Sequence, residues 1–269
     1  MLPQLIDTHA HLDFPGLAER TDEVLDNAKK AGITKIINVG ASLDGSKKSV
    51  DLAEKYSQIY ASLGLHPHVL VEDNLFGDDK LIDQQIFEIE KLLSEKKVLA
   101  IGEIGLDFFR LPAKINEMEI KKAQKELFIR QLQLASDNNM PVIIHSRDAA
   151  KDTLKIMNEF SSLKAVFHCF SYSLEVAKEI VNKGWLISFT ANITYPNNND
   201  SREIIRYFDL SSVMIETDAP FLSPQGKRGD VNEPSNVVEV ARRITEIKQM
   251  KLEEVAGWTT KNAVNFFGF

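Results

Sequence analysis

Eight short apolar runs punctuate the chain, and between them lie longer segments with helical spacing. The runs are Leu5–Asp7, Lys35–Val39, Tyr60–Leu63, Val98–Ile101, Val142–Ile144, Ala165–Phe167, Leu186–Phe189 and Val213–Ile215. Most are rich in β-branched residues, which suit strands buried on both faces of a parallel sheet. The intervening segments read as amphipathic helices. Val24, Leu25, Ala28 and Ala31 share a face before Gly32; Ala150, Leu154 and Met157 share another; Val237, Val240, Ala241 and Ile244 follow the i, i+3, i+4, i+7 rule. Repetition of strand and helix eight times predicts an α/β chain of the (β/α)8 TIM-barrel type, formed by residues 1–269 as a single domain. A doubly wound open sheet is the main alternative architecture. No glycine-rich dinucleotide fingerprint, phosphate loop, internal repeat or low-complexity linker accompanies the pattern. The longest helix is expected over about Ile115 to Asn138, its charges forming a solvated face. Lys251 to Phe269 reads as one or two short helices, with Trp258, Phe266 and Phe267 as packing anchors.

Composition narrows the chemistry. The 269 residues carry a net charge of −7, so no overall basic field draws in nucleic acid or an anionic membrane, and any phosphate binding must be local. One cysteine, Cys169, rules out an intrachain disulfide and a cysteine-built zinc site. No leader-like N-terminal segment or membrane-length apolar run is present, so the expected location is the cytoplasm, without membrane association. Oligomeric state is not legible.

Six histidines fall just after predicted strands and none in a helix: His9 and His11 after the first, His66 and His68 after the third, His145 and His168 at the fifth and sixth. Carboxylates obey the same rule, Glu103 after the fourth strand and Glu216 and Asp218 after the eighth. In a parallel barrel the C-terminal strand ends converge on one face, where barrel enzymes keep their chemistry. Residues i and i+2 of a strand face the same way, so His9 and His11 can present both imidazoles to one ion. Asp218 and Glu103 complete an N2O2 set, while His145 and His168 with a shared Glu103 form a second. Two divalent ions about 3.5–4 Å apart suit hydrolysis of phosphate esters by activated water. Imidazole ligands favour Zn or Mn over Mg in affinity, although availability in the cell also decides.

Other residues near these positions have competing readings. Glu216 fits a metal ligand, a hydrogen-bond acceptor behind the ligands or a buried ion-pair partner. Asp107 and Asp13 fit either acceptors that orient imidazoles or loop caps. His68 is read as a loop brace and Cys169 as a small core residue. His66 and Arg147 are candidate phosphate holders, Arg147 by forking onto two oxygens or, alternatively, by pairing with Asp148. Asp218 is the candidate proton acceptor from the attacking water. Arg110, Arg147, Lys227 and Arg228 are the few basic residues near these segments.

The sequence resembles the TatD family of metal-dependent deoxyribonucleases, a branch of the amidohydrolase-like barrels. The match runs through Asp7-Thr8-His9-Ala10-His11-Leu12-Asp13, Gly64-Leu65-His66-Pro67-His68, Gly102-Glu103-Ile104-Gly105-Leu106-Asp107 and Pro141-Val142-Ile143-Ile144-His145-Ser146-Arg147. It continues through Phe167-His168-Cys169-Phe170-Ser171, Glu216-Thr217-Asp218-Ala219-Pro220 and Asn232-Glu233-Pro234. Resemblance implies that His9, His11, Glu103 and Asp218 hold one ion and Glu103, His145 and His168 the other, Glu103 bridging without a carboxylated lysine. Departures occur at Tyr172 and Ala191, where members usually carry glycine, and in a slightly longer segment from Arg110 to Ile120. The function so expected is divalent-metal-dependent phosphodiester hydrolysis, with exonuclease-like action on DNA ends. Hydrolysis of an amide, lactone or small phosphoester is the rival within the same chemistry, and a metal-binding adaptor without turnover is the rival outside it.

Overall fold

A computed structural model describes residues 3–109 and 111–269, which places Arg110 outside the described residues. Strands and helices alternate in the order β1 (Leu5–Ala10), α1 (Thr21–Lys30), β2 (Ile33–Val39), α2 (Leu43–Lys55), β3 (Ile59–Leu63), α3 (Val69–Glu72) and α4 (Asp79–Leu92). They continue with β4 (Val98–Asp107), α5 (Glu117–Asp137), β5 (Val142–Arg147), α6 (Ala150–Glu159), β6 (Ala165–Phe167), α7 (Leu174–Asn182) and β7 (Leu186–Phe189). The last elements are α8 (Asn199–Tyr207), β8 (Val213–Ile215), α9 (Val237–Lys248) and α10 (Leu252–Phe267). All eight predicted strands are present. They hydrogen-bond in chain order β1 to β8, and Ala10 pairs in parallel with Ala219 just beyond β8, which gives the fold of a (β/α)8 TIM barrel.

The chain forms two compact units. One comprises Met1–Asn38, Tyr56–Tyr60 and His168–Phe269. Within it β1 pairs with β2 and β7 with β8, both in parallel. The chain after β8 returns to β1, where Asp218 N–H donates to the His9 carbonyl at 2.9 Å and His11 N–H to the Ala219 carbonyl at 2.7 Å. These bonds fix the backbone of His9, His11 and Asp218 together. Val237, Val240, Ala241 and Ile244 of α9 are buried as their spacing predicts.

The other unit comprises Val39–Lys55 and Ala61–Phe167. Here β4 pairs with β3 and β5, and β5 with β6. Strand β4 runs on to Asp107 and β5 to Arg147, so Glu103 and His145 lie inside strands instead of beyond them. The register of β4 shifts between Ile101 and Ile104, and there the Gly102-Glu103 peptide is cis. Gly105, at φ +148°, sits opposite His145, and a Cβ there would lie 1.9 Å from the His145 carbonyl oxygen. Only glycine allows these backbones to approach.

Candidate metal centre and its supports

The first group of functional side chains belongs to the unit containing β1 and β8. His9 Nε2 and His11 Nε2 face each other at 3.2 Å. Asp218 Oδ1 lies 3.7 Å from the first and 3.6 Å from the second. Burial pushes Asp218 toward the neutral form, but the hydrogen bond from His11 and the neighbouring His9 and His168 outweigh it and hold its carboxyl below the usual range. Asp218 is therefore a carboxylate at neutral pH. The His168 ring stacks on His9 with centroids 4.1 Å apart.

Two buried acids support these groups. Glu216 accepts the Cys169 N–H at 2.6 Å and the Ser188 hydroxyl at 2.7 Å, while its Oε1 lies 3.5 Å from His168 Nδ1. Its carboxylate thus serves as an acceptor that fixes the segment after β6. It also groups with His9 and His168, one donor atom from each lying within 4.8 Å of the others. Asp7 accepts Thr217 N–H at 2.9 Å, the Thr217 hydroxyl at 2.5 Å and His9 N–H at 3.3 Å, tying the His9 and Asp218 segments from below. Burial pushes its carboxyl up to about 8. Burial also pushes the Cys169 thiol up to about 12, so no thiolate nucleophile exists there at neutral pH.

A second group forms in the unit containing β4 and β5. His145 Nδ1 lies 2.6 Å from Glu103 Oε1, and its Nε2 lies 3.3 Å from Asp107 Oδ2. His68 Nε2 reaches the same Asp107 oxygen at 3.2 Å. Burial opposes ionisation of Asp107, yet hydrogen bonds from His145 and His68 hold its carboxyl well below the usual range. Asp107 is thus the acceptor that orients His145, and His68 braces it. Asp13, in the first unit, accepts from Asn38 at 3.2 Å.

His66 lies 3.8 Å from Glu103 Oε1, its ring centroid 4.4 Å from that of His145. Burial and the neighbouring His145 keep it neutral. Its Nδ1 accepts the His68 N–H at 3.2 Å, so the neutral ring carries its proton on Nε2. That tautomer makes Nε2, the nitrogen 3.8 Å from Glu103 Oε1, a donor. Arg147 is exposed, its guanidinium 3.8 Å above the Phe109 ring.

The profile of the family described as TatD related DNase matches residues 6–268. The chain belongs to the TatD family of metal-dependent hydrolases. An uncharacterized metal-dependent hydrolase of Bacillus subtilis, YabD, is 36% identical over 98% of this chain and 98% of its own. Human deoxyribonuclease TATDN3 is 34% identical over 98% of this chain and 94% of its own. A solved TatD homologue from Escherichia coli superposes with a TM-score of 0.89 at 31% identity, each chain covered completely.

The donors of this TatD chain suit a divalent ion. A metal bonded at about 2.0–2.2 Å to imidazole nitrogens and a carboxylate oxygen spaces its ligand atoms about 3.0–3.5 Å apart. The spacings among His9, His11 and Asp218 fall at or just above that range, and Glu103, His145, His168 and Glu216 supply further nitrogen and oxygen donors.

Supporting residues that composition hides are Gln124 and Gln131, seven apart on α5. Gln124 accepts Asp107 N–H and donates to the Asp107 carbonyl, both at 2.9 Å. Gln131 does the same for Leu65, at 2.7 and 2.9 Å, immediately before His66. Their signal was two polar residues on the apolar stripe of a helix otherwise read by its charges. Trp258 corrects another expectation: it is 41% exposed, with the Lys261 ammonium over its ring, and does not anchor the core, whereas Phe266 and Phe267 are buried.

Proposed function

We propose that this chain hydrolyses phosphodiester bonds of DNA, working inward from strand ends, with His9, His11, Glu103, His145, His168 and Asp218 as the ligands of two divalent ions. The observation that carries this reading is the triangle of His9, His11 and Asp218, whose donor atoms face one another at 3.2–3.7 Å. Zn, Mn or Mg in such sites would lower the pKa of water from 15.7 to about 7 and neutralise phosphoryl oxygens. Asp218, held ionised, accepts the proton released by the water. His66 offers its Nε2–H, and Arg147 its fork of donors, to the phosphate. Phe109 beneath Arg147 limits the directions in which the guanidinium can point.

The family description and the name of the human relative support DNA as substrate. Action at ends follows from charge. With net −7 and few basic groups near the site, the chain lacks the means to neutralise many phosphates at once. The test compares end-labelled linear single strands with closed circles, with and without a chelator. Linear strands should shorten only when divalent metal is present, and circles should persist. Absence of cleavage with Mn2+ or Zn2+ supplied would overturn the phosphodiester reading, and circles cut as fast as linear strands would overturn action from ends.

A further inference from the structure

The Asn232-Glu233-Pro234 motif contains no candidate ligand and no phosphate holder, yet Asn232 is completely buried and each hydrogen-bonding group of its side chain is engaged. The amide nitrogen donates to the Thr217 carbonyl at 3.0 Å and to the Phe221 carbonyl at 2.6 Å. The amide oxygen accepts the Glu233 N–H at 3.0 Å and the Asn236 side-chain amide at 2.8 Å. The backbone N–H of Asn232 donates to the Pro220 carbonyl at 3.0 Å. Three of these bonds end on residues 217–221, the short segment that contains Asp218.

That segment needs holding. Asp218 has φ +56° and Leu222 φ +55°, a left-handed conformation that residues other than glycine adopt at a cost and keep only where their surroundings impose it. The Asp218 N–H is tied to the His9 carbonyl, and the Asp218 carbonyl accepts the Phe221 N–H, both at 2.9 Å. Asn232 grips the residue before Asp218 and the residue three beyond it, so the carboxylate is presented to His9 and His11 from a backbone pinned on both sides. The next residue, Glu233, reaches the other strand of the triangle. Its carboxylate pairs with Arg20 and accepts from Asn27 of α1 at 3.1 Å, and Arg20 Nε donates at 3.0 Å to the carbonyl of Gly16, in the loop that follows His11.

We infer that Asn232 is a positioning residue for the ion held by His9, His11 and Asp218, setting the distance of the Asp218 carboxylate from the two imidazoles. The inference rests on the metal ligation proposed above and adds what fixes its geometry. Asparagine suits this place where aspartate would not. Two carbonyl oxygens converge on the Asn232 amide nitrogen, and an ionised carboxylate there would face them with an oxygen that has no proton to give; a protonated one has a single hydrogen for the two. In an aspartate variant, charge and placement act in opposite directions. A negative charge added near the site attracts a divalent cation, whereas a displaced Asp218 weakens its grip.

The experiment titrates Co2+ alone into chelated protein and follows both the visible absorption of the bound ion and the heat of binding, with a thermal melt of each metal-free form. Wild type, Asn232→Asp and Asn232→Ser are compared. In Asn232→Asp one binding event should weaken about 10- to 100-fold, with an altered absorption band, the range for removing a group that orients metal ligands from behind. Asn232→Ser, whose shorter side chain cannot span both carbonyls and adds no charge, should show the same loss, and it carries the test if the aspartate variant does not fold. A purely structural role would lower the melting temperature of the metal-free form and leave Co2+ affinity and band as in wild type. That result, or the tighter binding that charge alone predicts, would overturn the positioning role while leaving the metal reading intact. A wild type that takes up no Co2+ would overturn that reading itself and this inference with it.

Discussion

Gln131→Leu removes both halves of the pair that Gln131 makes with Leu65 while nearly conserving volume. The Leu65 N–H and carbonyl, both buried, would each lose their partner on α5. An unsatisfied buried polar group costs about 1–3 kcal/mol, so two cost roughly 2–6 kcal/mol. Burying leucine in place of the amide returns about 2 kcal/mol at most. Set against that return, the middle of the cost, about 4 kcal/mol, leaves an expected net loss of roughly 2 kcal/mol, at about 2–4 °C of melting temperature per kcal/mol for a chain near this size. Urea unfolding followed by circular dichroism measures it. Because Leu65 precedes His66, whose N–H in turn donates to the Ala41 carbonyl at 2.9 Å, the phosphate-holding donor should shift and kcat/KM should fall further than stability alone explains. A variant as stable as wild type within about 0.5 kcal/mol would refute the claim that this glutamine satisfies the loop.

Three further outcomes follow from the site. Asp7 titrates near pH 8 in the fold against an ordinary 3.8, so between those values the unfolded chain has shed a proton that the folded chain keeps, and stability falls as pH rises. Between pH 5 and 8 the chelated wild type should lose stability on the order of 4 kcal/mol relative to Asp7→Asn, and parallel pH profiles would contradict this. Asp107→Asn should weaken metal affinity or activity about 10- to 100-fold by releasing His145, measured by calorimetric metal titration; unchanged affinity and turnover would remove its orienting role. Single-strand binding should fall with salt at a log–log slope of only about −1.4 to −2.1, two or three phosphates at about −0.7 each, whereas a slope beyond about −5 would require a long basic groove.

The strands were legible because a strand buried on both faces must be apolar and favours β-branching, and short runs of that kind stand out. Their lengths were not. Strands β4 and β5 continue through Glu103, Asp107 and His145, polar residues that break an apolar pattern but stay inside the sheet because each satisfies another. A buried carboxylate looks like a strand end until its partner, about forty positions away in sequence, is known. The same holds for Gln124 and Gln131, whose partners are backbone groups that sequence periodicity does not register. The ligand candidates themselves were visible, since histidines and carboxylates placed after successive parallel strands have few structural reasons to recur. Asp7 stands in the first of the family-like motifs, but its burial, and hence its raised pKa, depends on the return of the chain from β8 onto β1.

The most direct test of the metal-dependent hydrolysis proposed here is a paired measurement on one preparation: divalent metal content by elemental analysis and cleavage of an end-labelled single strand, before chelation, after it, and after adding back Mn2+ or Zn2+. The account predicts up to two ions per chain, loss of cleavage together with the metal, and recovery of both on addition. Cleavage that continues at full rate in the metal-free protein would contradict it.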